Sequence, residues 1–231
     1  MFTQHDEATY EYPTVDGSPP IKQTILGWRM GGCDIVWSDF VPRLLAAHGH
    51  QICGGKTVVE LGAGCGLVGI MASRWASRVD ITDGDEEEIP LIEKNCEQHA
   101  FAGGGECTAH FLDWGTETSR AARASGALLP GGYDVVLAAQ VVYVPEAIPR
   151  LAETIAALLA DAPGSYALLY NDAVTQMSTQ AICRTVLDEA LASNGLHAVP
   201  CPLPLPPGCV FPHAGAYLLH ITRDGSPAAV N

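Results

Sequence analysis

The chain has 231 residues, is 48% hydrophobic with mean hydropathy +0.14, and carries a formal net charge of −14. That length and composition suit one α/β domain with a full core, and the acidic balance disfavours nucleic acid while attracting basic protein segments. No apolar run approaches the ~20 residues of a membrane span, so no membrane partner is expected.

Residues 1–20 are polar, contain Pro19-Pro20, and read as a flexible N-terminal arm. Residues 21–50 read as an N-terminal hairpin turning near Gly31-Gly32, followed by a helix near 38–47. The stretch 51–224 alternates strand and helix patterns: strand 57–61, helix 66–77, strand 78–83, helix 86–102 and strand 106–112. A Gly/Ala/Ser-rich loop is expected at 115–132, then strand 133–139, helix 145–160, strand 165–171, helix 178–194, and strands near 197–201 and 216–222. Residues 225–231 read as a tail. The alternation predicts an α/β, Rossmann-like sheet of seven mostly parallel strands, helices on both faces and an antiparallel last strand. Pro202–Gly215 holds five prolines and reads as a rigid loop, either at a site or merely at the surface.

The chemistry concentrates in Val58-Val-Glu-Leu-Gly62-Ala-Gly64-Cys-Gly66-Leu-Val-Gly69-Ile70. A β-rich run ends in an acid and turns through alternating glycines into an apolar helix. Glycine lets backbone approach a ligand closely, and the helix start presents free N–H groups. Gly64 to Gly69 matches the G-x-G-x-x-G dinucleotide pattern, but a dinucleotide site wants its first glycine directly after the strand. Counting from Gly62 puts Leu67 where the third glycine belongs. The register Glu60-x-Gly62-x-Gly64-x-Gly66 instead offers an acid to a cationic head, which suits S-adenosylmethionine, a ligand with an ammonium and a sulfonium. A glycine-rich turn without a ligand is the plain alternative. Asp83, about twenty residues beyond Gly62 at the end of the next strand, can accept hydrogen bonds from ribose hydroxyls. Asp83 and Asp85 are also candidate helix caps, and Asp85 fits that role better.

These residues carry a family resemblance. The chain resembles a class I (seven-β-strand) S-adenosylmethionine-dependent methyltransferase, and more narrowly the methyltransferase-16 family, whose known members mostly methylate protein lysines. The matching elements are Gly32-x-x-x-x-Trp37, Val59 to Ile70, Ile81-Thr-Asp83, Ile92-Glu-Lys-Asn95, Leu112-Asp-Trp-Gly115 and Tyr133-Asp-Val-Val-Leu137 with Val141-Val-Tyr143. The resemblance implies that Gly62, Ala63 and Gly64 cradle the methionine part and Asp83 holds the ribose. It implies that Trp114 lies against the adenine with Asp113 beside its exocyclic amine. Trp37 would line the pocket near the amino-acid end, and Ala139 would lie close to the cofactor. An indole offers a flat apolar face to a purine. For each Trp, simple core packing is the alternative.

One position departs from the family pattern. The family usually has Asp-x-x-Tyr after the fourth strand, where this chain has Gln140-Val-Val-Tyr143. A lysine must lose its proton before attack, and a carboxylate would orient the amine. Gln140 can accept a hydrogen bond through its amide oxygen but supplies no charge. Three readings stay open: lysine is still the acceptor, the acceptor is a histidine or a small molecule, or binding is kept and catalysis lost. Tyr143 matches the tyrosine that shapes the family's pocket. Asn171-Asp172, at the end of the fifth strand, are either pocket residues or a strand-end turn. His213 is a candidate base in the Pro-rich loop. The run Asp85-Glu-Glu-Glu88 reads as a helix's charged first turn or a lure for a basic substrate. An NAD-dependent oxidoreductase is disfavoured, because no Tyr-x-x-x-Lys or comparable set is visible.

Eight cysteines without a C-x-x-C pair speak for reduced thiols and against a compact zinc site. Residues 1–7 lack the pattern of a signal peptide. The expectations are therefore a monomer without a metal, in the cytoplasm or nucleus, acting on a protein that presents a lysine.

Overall fold

The computed structural model describes residues 6–14, 19–27, 38–98, 104–172, 177–206, 209–211 and 215–223. The chain divides into two compact units, one of Met1–Phe111 with Leu205–Cys209 and one of Leu112–Pro204 with Val210–Asn231. The strands form a seven-stranded, mostly parallel sheet, as the sequence predicts for this fold class.

Residues 6–12 are not part of a loose arm: β1 (Asp6–Tyr12) pairs antiparallel with β2 (Ile21–Gly27), from Asp6 opposite Gly27 to Tyr12 opposite Ile21. The strand exists because burial alternates along it. Glu7, Thr9 and Glu11 face outward while Ala8, Tyr10 and Tyr12 turn inward, the period of a half-buried strand. Thr9 and Thr24 meet across the pair at 3.0 Å, and Lys22 reaches Glu11 at 3.1 Å. The partner of β2 is thus upstream, whereas the sequence reading looked for it downstream. The expected turn at Gly31-Gly32 lies outside the described residues.

Helix α1 (Phe40–Cys53) runs longer than expected and buries Leu44, Leu45 and Ile52. Then β3 (Thr57–Leu61), α2 (Leu67–Ser73), β4 (Arg78–Asp83), α3 (Ile89–Gln98) and β5 (Glu106–Phe111) alternate, with β3, β4 and β5 paired in parallel. Val58, Val59, Leu61, Val79 and Ile81 are fully buried, the near-continuous apolar pattern of strands covered on both faces. Each of these elements lies within a few residues of its predicted bounds.

The second unit holds α4 (Thr116–Ser125), β6 (Val135–Ala139), a short 3-10 turn at Pro145–Ala147, α5 (Ile148–Leu158), β7 (Tyr166–Asn171), α6 (Met177–Ser193), β8 (His197–Pro200) and β9 (Tyr217–Thr222). Strands β6 and β7 are parallel, and β9 runs antiparallel to both β7 and β8. Helix α4 replaces part of the loop expected at 115–132. Its Thr-Glu-Thr-Ser-Arg-Ala-Ala-Arg-Ala-Ser sequence favours helix through Ala, Arg and Glu, but only Ser119 is buried, so no apolar stripe announces it. It ends at Gly126, whose left-handed backbone (φ 81) lets the amide reach back to Arg123.

Candidate functional site

In the first unit, the chain leaves β3 through three left-handed glycines, Gly62 (φ 64), Gly64 (φ 56) and Gly66 (φ 82). Hydrogen bonds fix this loop on both sides. Ala63 N–H donates to the Thr82 carbonyl at 3.1 Å, and Gly64 N–H donates to Asp83 Oδ2 at 2.8 Å. The other Asp83 oxygen accepts Asp85 N–H at 2.9 Å. Asp83 is therefore aligned by two backbone amides, and its half-buried carboxylate keeps further lone pairs for a ligand. Asp85 caps the turn before α3 by accepting Glu87 N–H at 2.9 Å; the helix itself begins at Ile89 rather than Glu86.

The glycines do two different jobs. A Cβ on Gly64 would meet nothing within 4 Å, so open space lies above the loop where a ligand's chain can rest. A Cβ on Gly69 would lie 2.6 Å from Ile81 Cγ1 and 2.7 Å from Glu60 Oε2. Gly69 is thus a packing glycine that brings α2 against β3 and β4.

Glu60 is 2% exposed, and its Oε2 accepts Gly69 N–H at 2.7 Å. Burial pushes its carboxyl up to about 8, with the Gly69 amide pulling the other way. Glu60 therefore caps the first turn of α2 as well as standing at the strand end. Glu88 is pushed up to about 7 by burial and by Asp83, Asp85 and Glu87 around it. The sequence reading quoted Asn95 only as part of a motif and gave it no role. It is fully buried on α3 and donates to the Cys65 carbonyl at 2.9 Å and to the Leu26 carbonyl at 2.8 Å. It also accepts Leu26 N–H at 2.9 Å. One amide thus ties β2 to the glycine loop.

In the second unit, Asp113 is exposed and paired with Arg150 at 2.6 Å. Trp114 is half-buried, and its indole N–H is buried with no partner among the described residues. Gly115 (φ 143) follows, its N–H donating to Thr154 Oγ1 at 2.8 Å. Arg150 and Thr154, both on α5, hold this segment from 37 and 39 residues away, and sequence reasoning singled out neither.

Ala139 closes β6 and is half-buried. Gln140 is the one non-glycine residue with positive φ among those described (φ 60). Such a conformation costs about 1–3 kcal/mol and persists where the surroundings impose it. Its N–H donates to the Tyr170 carbonyl at 2.8 Å, and its Oε1 accepts Asp172 N–H at 2.9 Å. A backbone N–H can only donate, so the amide's orientation is fixed with oxygen toward Asp172. Its Nε2 is buried and has no partner among the described residues. Against the expectation that the Gln140 oxygen meets a substrate amine, that oxygen already accepts one backbone N–H, keeps a second lone pair, and sits beside an unpaired NH2 group.

Asn171 clamps the same segment, accepting Val142 N–H at 3.0 Å and donating to the Val142 carbonyl at 3.2 Å. Tyr143 follows, 57% exposed. Gln140, Val142, Asn171 and Asp172 thus form one network at the ends of β6 and β7. Trp37 and His213 lie outside the described residues.

Among known proteins, the sequence profile of a family described as lysine methyltransferase matches residues 31–177. The chain is similar to protein N-lysine methyltransferase METTL21A of Danio rerio, 34% identical over 130 residues covering 55% of this chain and 56% of the relative. It is also similar to EEF1A lysine methyltransferase 3 of Mus musculus, 35% identical over 104 residues covering 44% of this chain and 39% of the relative. The chain thus spans about half or less of these curated relatives. In fold it is similar to magnesium protoporphyrin IX methyltransferase from Synechocystis PCC 6803, with TM-score 0.51, 19% identity, and coverage of 80% of this chain and 81% of the other. The glycine loop, the Asp83 strand end, the Trp114 segment and the β6 tetrad all fall within the matched residues, and the chain belongs to the lysine methyltransferase family.

Proposed function

We propose that this chain is an S-adenosylmethionine-dependent protein-lysine N-methyltransferase. The observation that carries the reading is the left-handed glycine loop pinned to Asp83 through Gly64, with open space above Gly64. The residues fit the cofactor. Gly62, Ala63 and Gly64 would hold its amino-acid part, with Glu60 at the strand end. Asp83 would hold the ribose hydroxyls. Trp114 and Asp113 would meet the adenine, and Ala139 would lie beside the cofactor. The buried, unpartnered Trp114 indole N–H also suits an acceptor on a bound ligand.

When bound, the cofactor supplies an electrophilic methyl group on a sulfonium. The acceptor nitrogen must present a free lone pair, so a lysine first gives up its proton. The chain's part is positioning, which can carry much of the barrier in such a displacement. Gln140 Oε1 already accepts Asp172 N–H and can meet an amine only through its second lone pair, whereas the side chain's NH2 group has no partner among the described residues. That NH2 group would donate to a carbonyl oxygen of the substrate, such as a main-chain carbonyl beside the lysine. Tyr143, largely exposed, would shape the lysine channel. A net charge of −14 supports a basic segment as the partner and disfavours nucleic acid. A monomer in the cytoplasm or nucleus, without a membrane partner, completes the reading.

Calorimetry with S-adenosylhomocysteine tests the cofactor, with micromolar or tighter binding expected; absence of binding for both it and S-adenosylmethionine ends the reading. Tritiated donor added to a cell lysate tests the acceptor. Label on a protein band, mapped to lysine, is the expected result. Label on histidine, or only in small molecules, would replace lysine with that acceptor.

A further inference from the structure

Cys96 on α3 and Cys107 on β5 bring their Sγ atoms to 3.3 Å. Both line an open groove with Ser73, Glu93, Glu97 and Glu106. Strand β5 is the edge of the sheet, and the connection between the two cysteines includes Gly103-Gly-Gly105. A disulfide needs its sulfurs about 2.05 Å apart, so closure asks for roughly 1 Å of approach between a helix end and an edge strand. The hydrogen bond between the thiols holds Cys96 below the ordinary thiol range against burial and the carboxylates of Glu93 and Glu97, while Cys107 is pushed up. At that separation either sulfur can attack an oxidant and the other resolve it.

We propose that Cys96 and Cys107 are an oxidisable dithiol, taking a small neutral peroxide and closing to a disulfide that loosens the glycine loop. One thiolate of the pair attacks one peroxide oxygen, the O–O bond breaks, and hydroxide leaves and is protonated to water. The other thiol then attacks the sulfenic sulfur, the S–O bond breaks, and the departing hydroxide takes that thiol's proton and leaves as a second water. Two thiols become one disulfide, two electrons pass to the peroxide, and no further reductant or oxidant is needed. The selection for a neutral oxidant comes from the three exposed carboxylates around the groove, Glu93, Glu97 and Glu106, which repel anionic oxidised glutathione. The link to the loop is Asn95, next to Cys96, which holds the Cys65 carbonyl at 2.9 Å. Drawing Cys96 toward β5 pulls on that bond.

The test uses the full chain, reduced and then treated with stoichiometric hydrogen peroxide. The expected product is about 2 Da lighter, with a Cys96–Cys107 linked peptide on mapping. Cys107→Ser and Cys96→Ser should each give no such link, with a dimedone-trappable sulfenic acid on the remaining cysteine in at least one of them. Free, alkylatable Cys96 and Cys107 after peroxide, or equal linkage among other cysteine pairs, overturns the site. Linkage by oxidised glutathione as fast as by peroxide overturns the assignment to a neutral oxidant. Affinity for S-adenosylhomocysteine should fall about fivefold on closure and stay constant in peroxide-treated Cys96→Ser. Unchanged affinity in fully linked protein overturns the coupling to the loop. This last arm rests on the cofactor reading, whereas the mass and peptide arms need no ligand and stand apart from it.

Discussion

The β3–α2 loop and the β6 tetrad, each at the end of a parallel strand, handle backbone strain in opposite ways. At the first, positive φ falls on Gly62, Gly64 and Gly66, where it costs little. Asp83 and Glu60 accept the loop amides of Gly64 and Gly69. At the second, positive φ falls on Gln140, whose amide is left with an unused donor. The first region is preorganised: its positive φ angles fall on glycines, and the Ala63, Gly64 and Gly69 amides are paired before any ligand arrives. The second is held in a costly conformation by its neighbours and keeps a polar group waiting. A site that binds one invariant cofactor gains from the first design. A site that must recognise a particular acceptor keeps its strain and its open valence where the acceptor is chosen.

The largest effect should come from breaking the first region. Asp83→Ala removes the acceptor of both Gly64 N–H and Asp85 N–H, and the proposed ribose contact with it. Affinity for S-adenosylhomocysteine should fall about 100-fold, or about 2.7 kcal/mol, by calorimetry. A loss below about threefold would mean that the carboxylate serves the fold alone.

How much of this was readable beforehand follows the same division. The glycine loop was legible because positive φ demands glycine and leaves a mark in the sequence. Asp83 was legible because a strand's length fixes where it ends. The alternation of strands and helices was legible from apolar runs. Strand β1 was hidden because its inward residues are Ala and Tyr among Glu and Thr, a polar composition over a correct period. Helix α4 was hidden because it buries only Ser119. The contacts of Asn95 with Leu26, Arg150 with Asp113, and Asn171 with Val142 join residues 69, 37 and 29 apart. No local pattern encodes such pairs. The orientation of Gln140 was illegible for the same reason, since Asp172, 32 residues away, decides it.

Next in size is the clamp on the second region. Asn171→Ala leaves Val142 N–H and its carbonyl without their buried partner, and should cost about 2 kcal/mol of stability by denaturant unfolding. Because the hydrogen bonds of Asn171 go to Val142 and Asp172, cofactor affinity should change little while methyl transfer falls about tenfold or more. Equal losses in both would mean that the two regions do not divide as described.

Gln140→Glu sharpens the comparison at a single atom. The variant keeps an oxygen for Asp172 N–H and replaces the waiting NH2 with a second oxygen. If Gln140 donates to the substrate, kcat/KM should drop about tenfold, or about 1.4 kcal/mol. If the position instead wants a carboxylate for the amine, activity will hold or rise. Gln140→Asp is a poorer probe, because its shorter side chain also gives up the Asp172 bond.

The smallest effect concerns Glu60 and is read through pH. In the folded protein burial raises its carboxyl to about 8, whereas an unfolded chain titrates near ~4.3. The folded state therefore holds a proton that the unfolded state has released across that window. This contribution to stability is fully present below the unfolded value and is lost as pH rises toward 8. Glu88, raised to about 7, acts in the same direction. Between pH 6 and 8 the midpoint of thermal unfolding should fall by an amount corresponding to about 1 kcal/mol, after allowance for local relaxation around the buried group. Glu60→Gln should flatten that dependence, since an amide can still accept the Gly69 N–H but does not titrate. Binding adds a second sign to check. A cationic ligand head near Glu60 favours the carboxylate, so binding at pH 7 should release a proton, seen as a dependence of the calorimetric heat on the buffer's ionisation enthalpy. If Glu60→Gln leaves that release intact, then Glu60 only caps α2, and the cation must be met elsewhere.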